Sequence, residues 1–281
     1  VQLFFLIDGS NSISQSVFDD MLHGIAESIR EGIIAHDGSV EISVLQMAIP
    51  VTGGFGYMDY PEVGPVVIKN NPAQINDHYE AVANQIENIQ KININPPVLT
   101  PMSKGFDVAL DTLLYESNNY YERDKQVVNV LTDGKASYKF SYPPLPSDDD
   151  ENEYAKEDAK RSRNKLARAF SLEYGIDNDG DSINVFEIDG SYGTNHDWLK
   201  DSIVYPQPAI EDLPEQAERD YGFITSVTDS SGNIVLDDLK EAINVSINGG
   251  HDDRKYTVEI LHSSVEDPNL ENNYDEMCYD T

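Results

Sequence analysis

Two apolar runs, each halted by Asp-Gly, constrain this chain more than anything else in it. Residues 2–7 (QLFFLI) break at Asp8-Gly9, and residues 127–131 (VVNVL) pass through Thr132 to Asp133-Gly134. A run that is apolar without alternation is buried on both faces, which is the pattern of an interior strand in a parallel sheet. Parallel neighbours need crossover connections, and a helix follows the first run. From Ser14 to Gly32 the residues Val17, Phe18, Met21, Leu22, Ile25 and Ile29 recur at three- and four-residue spacing, giving one buried face.

The rest of the chain repeats this alternation. Val40 to Met47 reads as a second strand, residues 51–71, rich in Gly, Pro and Tyr, as an irregular or hairpin connection, and Val82, Ile86 and Ile89 as a second helix. After a loop with Pro96, Pro97 and Pro101, Phe106, Ala109, Leu110, Leu113 and Leu114 mark a third. Residues 138–153, with YPPLPSDDDENE, read as a solvated loop within an insertion that extends to about 158. Beyond it come a helix through Leu166, Ala167 and Phe170, a strand at 183–188, a strand at 221–227, and a closing helix with Leu236, Leu239, Ala242 and Ile243. The fold class is therefore α/β: a doubly wound, mostly parallel central sheet flanked by helices, with insertions. One domain over 1–248 is expected, followed by a C-terminal extension or linker at 249–281, polar apart from YTVEIL at 256–261.

Open parallel sheets bind ligands outside the carboxyl ends of their strands. One such end carries DGSNS, which places Asp8, Ser10 and Ser12 in a turn where alternate residues point the same way; another carries Asp133, expected to face solvent and to take no part in core packing. Thr100, from the proline-rich loop, is placed to reach the same spot. All are hard oxygen donors without His or Cys, a set suited to magnesium or manganese and unsuited to zinc. Helix capping by Asp8 and Asp133 is the plainer reading, but it does not explain why both strand ends and Thr100 are equipped together.

At these residues the chain resembles the von Willebrand factor A, or integrin I-like, family, whose metal-ion-dependent adhesion site is Asp-x-Ser-x-Ser, then a separate Thr, then a separate Asp. Asp8, Ser10, Ser12, Thr100 and Asp133 match in that order, and the likeness covers roughly residues 2–247. Asn11 stands where many relatives have Gly, and the loop after Asp133 is longer than the common form; both belong to the rim, not to the ligand set. The resemblance implies a Rossmann-like von Willebrand A fold and a Mg2+ site that also admits Mn2+ or Ca2+. It further implies direct contact from Ser10, Ser12 and Thr100, one or both aspartates able to act through water, and one position left for a carboxylate of a protein or surface ligand.

Charge and composition narrow the partners. Lys plus Arg number 19 against 51 Asp plus Glu, a net charge of -32, which repels phosphate backbones and anionic membranes, so nucleic acid is not an expected partner. No stretch approaches the roughly 20 apolar residues of a spanning helix, so membrane insertion is not expected. Cys278 is the single cysteine, which leaves no internal disulfide and no thiolate metal cluster. The start on a core strand, without a basic segment, suggests a piece of a larger exported protein, extracellular or on a cell surface and of bacterial origin.

A binding module is the expected function, and the chain is not expected to be an enzyme. An aspartyl phosphatase would need a second aspartate at position 10, which is Ser, and a phosphate-holding lysine nearby. An interaction subunit of a chelatase- or ATPase-linked assembly is the alternative; no P-loop occurs here. Three weaker signals remain. Asp177, Asp179 and Asp181 alternate as in a calcium loop but lack its glycine and closing glutamate, so a polar turn is preferred. Asn244-Val245-Ser246 fits a glycosylation pattern inside a predicted helix. The six histidines and Trp198 show no ligand spacing and are assigned to packing and surface.

Overall fold

The computed structural model describes residues 1–50, 58–71, 78–92, 98–117, 125–134, 136–137, 148–172, 181–189, 195–214 and 221–248. In chain order the elements are β1 (Gln2–Asp8), α1 (Gln15–Arg30), β2 (Asp37–Met47), β3 (Ile49–Pro50), β4 (Val63–Lys69), α2 (Tyr79–Glu87), β5 (Val98–Leu99) and α3 (Met102–Asp111). A wider helical turn, Thr112–Glu116, prolongs α3. Then come β6 (Gln126–Thr132), α4 (Asp148–Leu172), β7 (Ser182–Glu187), α5 (His196–Ser202), β8 (Ile210–Glu211), β9 (Phe223–Ser226) and α6 (Leu236–Asn248).

Seven strands form one sheet in the order β4-β2-β1-β6-β7-β9-β8. Every pairing is parallel except β4 on β2. Within the stretch expected to be an irregular or hairpin connection, β4 returns antiparallel to β2 as an edge strand, and residues 51–57 lie outside the described residues. β1 is buried at all seven positions, as its unalternating sequence requires. Its odd residues Leu3, Phe5 and Ile7 join the core under α1, α2 and α6, and its even residues Phe4 and Leu6 join the core under α3, α4 and α5. Helix α1 starts where Ser14 Oγ accepts the Val17 N–H at 3.2 Å and stops before Gly32, at φ 78°.

The chain leaves β1 toward β2 on one side and later returns to place β6 on the other, so the β1–β6 boundary is the topological switch point of the sheet. Asp8 ends β1, and Asp133 follows β6 directly.

Several expectations are refined. Asp148–Glu151, expected as solvated loop, belong to helix: α4 already begins at Asp148. The run of carboxylates obscured helix that is anchored further on by Ala155, Ala159, Leu166 and Phe170 in the core. The short α5 and β8 gave no sequence signal. Asn244-Val245-Ser246 does lie in helix, with the Ser246 hydroxyl buried and donating to the Ile243 carbonyl. Asp177, Asp179 and the 256–261 segment lie outside the described residues. Asp181 is buried and accepts the Gln126 N–H at 2.6 Å, which fixes the start of β6. Among the described residues no helix is long and apolar enough to cross a membrane.

Candidate functional site

The Asp8 carboxylate is the centre of a hydrogen-bonded knot at the switch point. Its Oδ1 accepts the Ser10 N–H at 2.9 Å and the Thr100 hydroxyl at 3.3 Å, and its Oδ2 accepts the Thr132 hydroxyl at 2.8 Å. Ser10 Oγ and Ser12 Oγ lie 2.8 Å apart. The loop bearing Thr100 is tied to the segment after β6 on both sides: Thr100 N–H donates to Ser137 Oγ at 2.9 Å, and Ser137 N–H donates to the Thr100 carbonyl at 3.2 Å. Asp8, Ser10, Thr100 and Asp133 are all buried, and Ser12 is half-buried.

Asp133 departs from expectation. It is fully buried rather than facing solvent. The reason is tertiary: Gly134, at φ 84°, turns the chain so tightly that an added β-carbon would come within 2.9 Å of Leu199 and 3.0 Å of the Asn195 nitrogen, and α5 closes over the strand end. Asn195 Nδ2 also donates to the Gly134 carbonyl at 2.9 Å.

Two carboxyl groups buried together are electrostatically expensive. Burial pushes the Asp8 acid up to about 6, and the negative charge of Asp133 adds to the rise, while hydrogen bonds from Ser10 and Thr132 oppose it. The groups that hydrogen-bond Asp8 are all neutral. A cluster of oxygens from two buried carboxylates, the buried Ser10 and Thr100 hydroxyls and the half-buried Ser12 hydroxyl fits a hard divalent cation.

Further residues support the site without being legible beforehand. Gln46, on β2, fits so closely beneath Gly9 that a β-carbon at position 9 would overlap its side chain. Its Oε1 accepts the Ile92 N–H at 2.8 Å, its Nε2 donates to the Gln90 carbonyl at 3.0 Å, and its own N–H donates to Glu62 Oε2 at 2.7 Å. Thr132 is the missed partner of Asp8; being embedded in an apolar run, it read as strand filler. Glu187 lies opposite Thr132 across the β6–β7 pairing and bonds His196 Nδ1 at 2.8 Å.

Nor are the histidines merely scattered. Ligand atoms of His23, Glu27 and Glu87 lie within 4.8 Å of one another on α1 and α2. Arg30 already occupies that group, at 2.8 Å from Glu27 and 2.7 Å from Glu87. Trp198 sits against the core under α3, α4 and α5, with the Lys156 ammonium 5.9 Å from its ring centre.

No curated protein matches this chain in sequence. Solved structures do match in fold. Proximal thread matrix protein 1 from the mussel byssus aligns with 88% of this chain at 15% identity and a TM-score of 0.50. The pilus adhesin SpaC from Lactobacillus rhamnosus GG aligns with 89% at 12% identity and a TM-score of 0.52. The chain spans 47% of the first protein and 30% of the second. At such identities the likeness is one of fold. The family model of the von Willebrand factor type A domain matches residues 2–155, more than half of the sequence, and that stretch contains β1, β6, Thr100 and both aspartates. With the parallel sheet and its switch point, that match establishes that the chain belongs to the von Willebrand factor type A domain family.

Proposed function

We propose that this protein is a divalent-cation-dependent adhesion module whose ion is held by Asp8, Ser10, Ser12, Thr100 and Asp133. The observation that carries the reading is the burial of Asp8 and Asp133 together at the switch point, with Asp8 bonded by neutral groups. Two buried carboxylates call for more countercharge than the Lys91 ammonium, which feels the Asp8 charge, supplies alone, and the three hydroxyls complete an oxygen set without adding negative charge. Mg2+ is the favoured ion, with Mn2+ or Ca2+ as substitutes.

When bound, the ion would be balanced formally by the two carboxylates. With the neutral hydroxyls as its direct contacts and the aspartates acting through water, it would keep a local positive field and an open position able to take a carboxylate from a protein or surface partner. Such a contact over a few ångströms outweighs the distant surface charges, which are screened over about 8 Å at physiological salt. The module spans residues 1–248, residues 249–281 form an extension beyond it, and the protein acts outside the cell or at its surface. The pilus adhesin and byssus matrix protein that share the fold support that location and the choice of binding over catalysis.

Calorimetry on protein stripped by chelator tests this directly. One site for Mg2+ or Mn2+ of micromolar to millimolar strength is expected, lost in the combined Ser10→Ala, Ser12→Ala variant with circular dichroism unchanged. No heat with either ion in the parent protein would overturn the reading.

A further inference from the structure

Residues 90–92 are strapped to the end of β2 beside the proposed cation site. Gln46 Nε2 donates to the Gln90 carbonyl at 3.0 Å and Gln46 Oε1 accepts the Ile92 N–H at 2.8 Å, so two hydrogen bonds grip the backbone on either side of Lys91. The same Gln46 side chain lies against Gly9, where an added β-carbon would overlap it, and the Gly9 N–H donates to the Met47 carbonyl at 3.1 Å. One side chain thus ties the backbone at Lys91 to the residue next to Asp8. The remaining gap is within reach of a lysine's four-carbon stem.

Lys91 is half-buried, and among the described residues its ammonium makes no hydrogen bond or ion pair. Lys104, Lys156, Lys165, Lys200 and Lys240 each pair with a carboxylate, as a chain with 51 Asp and Glu readily allows. Lys91 instead answers to the buried site: burial pushes its ammonium below the ordinary 10.5, and the charge that opposes the fall is that of Asp8. Glu62, whose Oε2 accepts the Gln46 N–H at 2.7 Å, is not among the charges that act on it.

The two states of the site make opposite demands on this ammonium. Without an ion, Asp8 and Asp133 are buried together, and a positive charge nearby favours their ionised forms. With an ion, the same ammonium stands near a doubly charged neighbour of its own sign, in surroundings that screen poorly. A group that favours the unloaded state and disfavours the loaded one lowers the affinity by both effects together.

We infer that Lys91 is a resident rival of the divalent cation: its ammonium partly balances the unloaded site and repels the incoming ion, so that loading is weaker than the five oxygen ligands alone would make it. The inference rests on the cation-dependent reading above.

Calorimetry on the full chain, stripped by chelator, compares the parent with Lys91→Gln and Lys91→Arg at neutral pH and physiological salt. Heat that persists in the combined Ser10→Ala, Ser12→Ala variant is subtracted as binding to the acidic surface. Lys91→Gln is expected to bind Mg2+ about fivefold tighter, and to melt below the parent when stripped. Its gain for Tb3+ is expected to exceed its gain for Ca2+, an ion of nearly the same size and one charge fewer; a mere change in packing would not grade with ion charge. Lys91→Arg keeps the charge and is expected to match the parent's affinity within about twofold. Mg2+ affinity in Lys91→Gln equal to or weaker than the parent's, or equal gains for Ca2+ and Tb3+, would overturn the role of Lys91 and leave the cation reading standing. No heat with Mg2+ or Mn2+ in either the parent or Lys91→Gln would overturn both.

Discussion

Asp8 and Asp133 set function against stability at the level of single residues. In metal-free protein the fold favours the protonated Asp8 acid, whose value rises from 3.8 to about 6. The folded state therefore holds a proton that the unfolded chain has already released, so this group's stabilising effect is present below about pH 4 and is lost as the pH rises through about 6. A cation needs the ionised form and competes with that proton. The rise in Tm on adding Mg2+ is accordingly expected to be larger at pH 7.5 than at pH 5, by scanning calorimetry; equal increments would argue against Asp8 as a ligand. Asp133→Asn removes the second cause of the shift. In stripped protein at neutral pH this variant is expected to melt above the parent, while its response to Mg2+ disappears. A variant that melts lower and still responds to Mg2+ would mark Asp133 as structural.

Helices α1 and α2 are joined by a clamp far from the site. Arg30 donates to Glu27, Glu80 and both oxygens of Glu87, and also to Asn84. The Arg30 hydrogen bond is the main reason that the Glu87 acid is held down to about 2, with His23 assisting. A lowered carboxyl value stabilises the fold above the ordinary 4.5, and that stabilisation is lost as the pH falls toward about 2. Since both side chains are only partly buried, Arg30→Met is expected to cost about 1–2 kcal/mol at neutral pH in urea unfolding. It should also make stability less steep in pH between about 4.5 and 2. An unchanged acid limb would show that the pair is decorative.

At the scale of the whole molecule, a charge of -32 works against compactness. Monovalent salt is expected to raise Tm gradually as screening weakens self-repulsion, with no saturation at a single stoichiometry. Mg2+ at matched ionic strength is expected to add a further, saturable rise, which Ser10→Ala with Ser12→Ala abolishes. If Mg2+ acted no differently from sodium at equal ionic strength, the specific site would be refuted.

Some features were fixed by local sequence alone. Short unalternating apolar runs stopped by Asp-Gly read as doubly buried strands, and β1 and β6 are interior strands of the sheet. Helical periodicity marked α1, α2, α3 and α6 because each buries a single stripe. In the sequence Asp8, Ser10 and Ser12 stand out by an extended turn that directs alternate residues one way, Asp133 by the strand end it follows and Thr100 by its proline-rich loop, and the order of all five matches the motif. Tertiary structure decided what depends on neighbours distant in sequence. Asp133 is buried because α5, over sixty residues later, packs across Gly134. Gln46 and Thr132 serve the site because β2 and β6 flank β1 in register, a pairing no local pattern records. The start of α4 was hidden since charged residues disfavour a buried core without preventing a helix that is anchored one side further along.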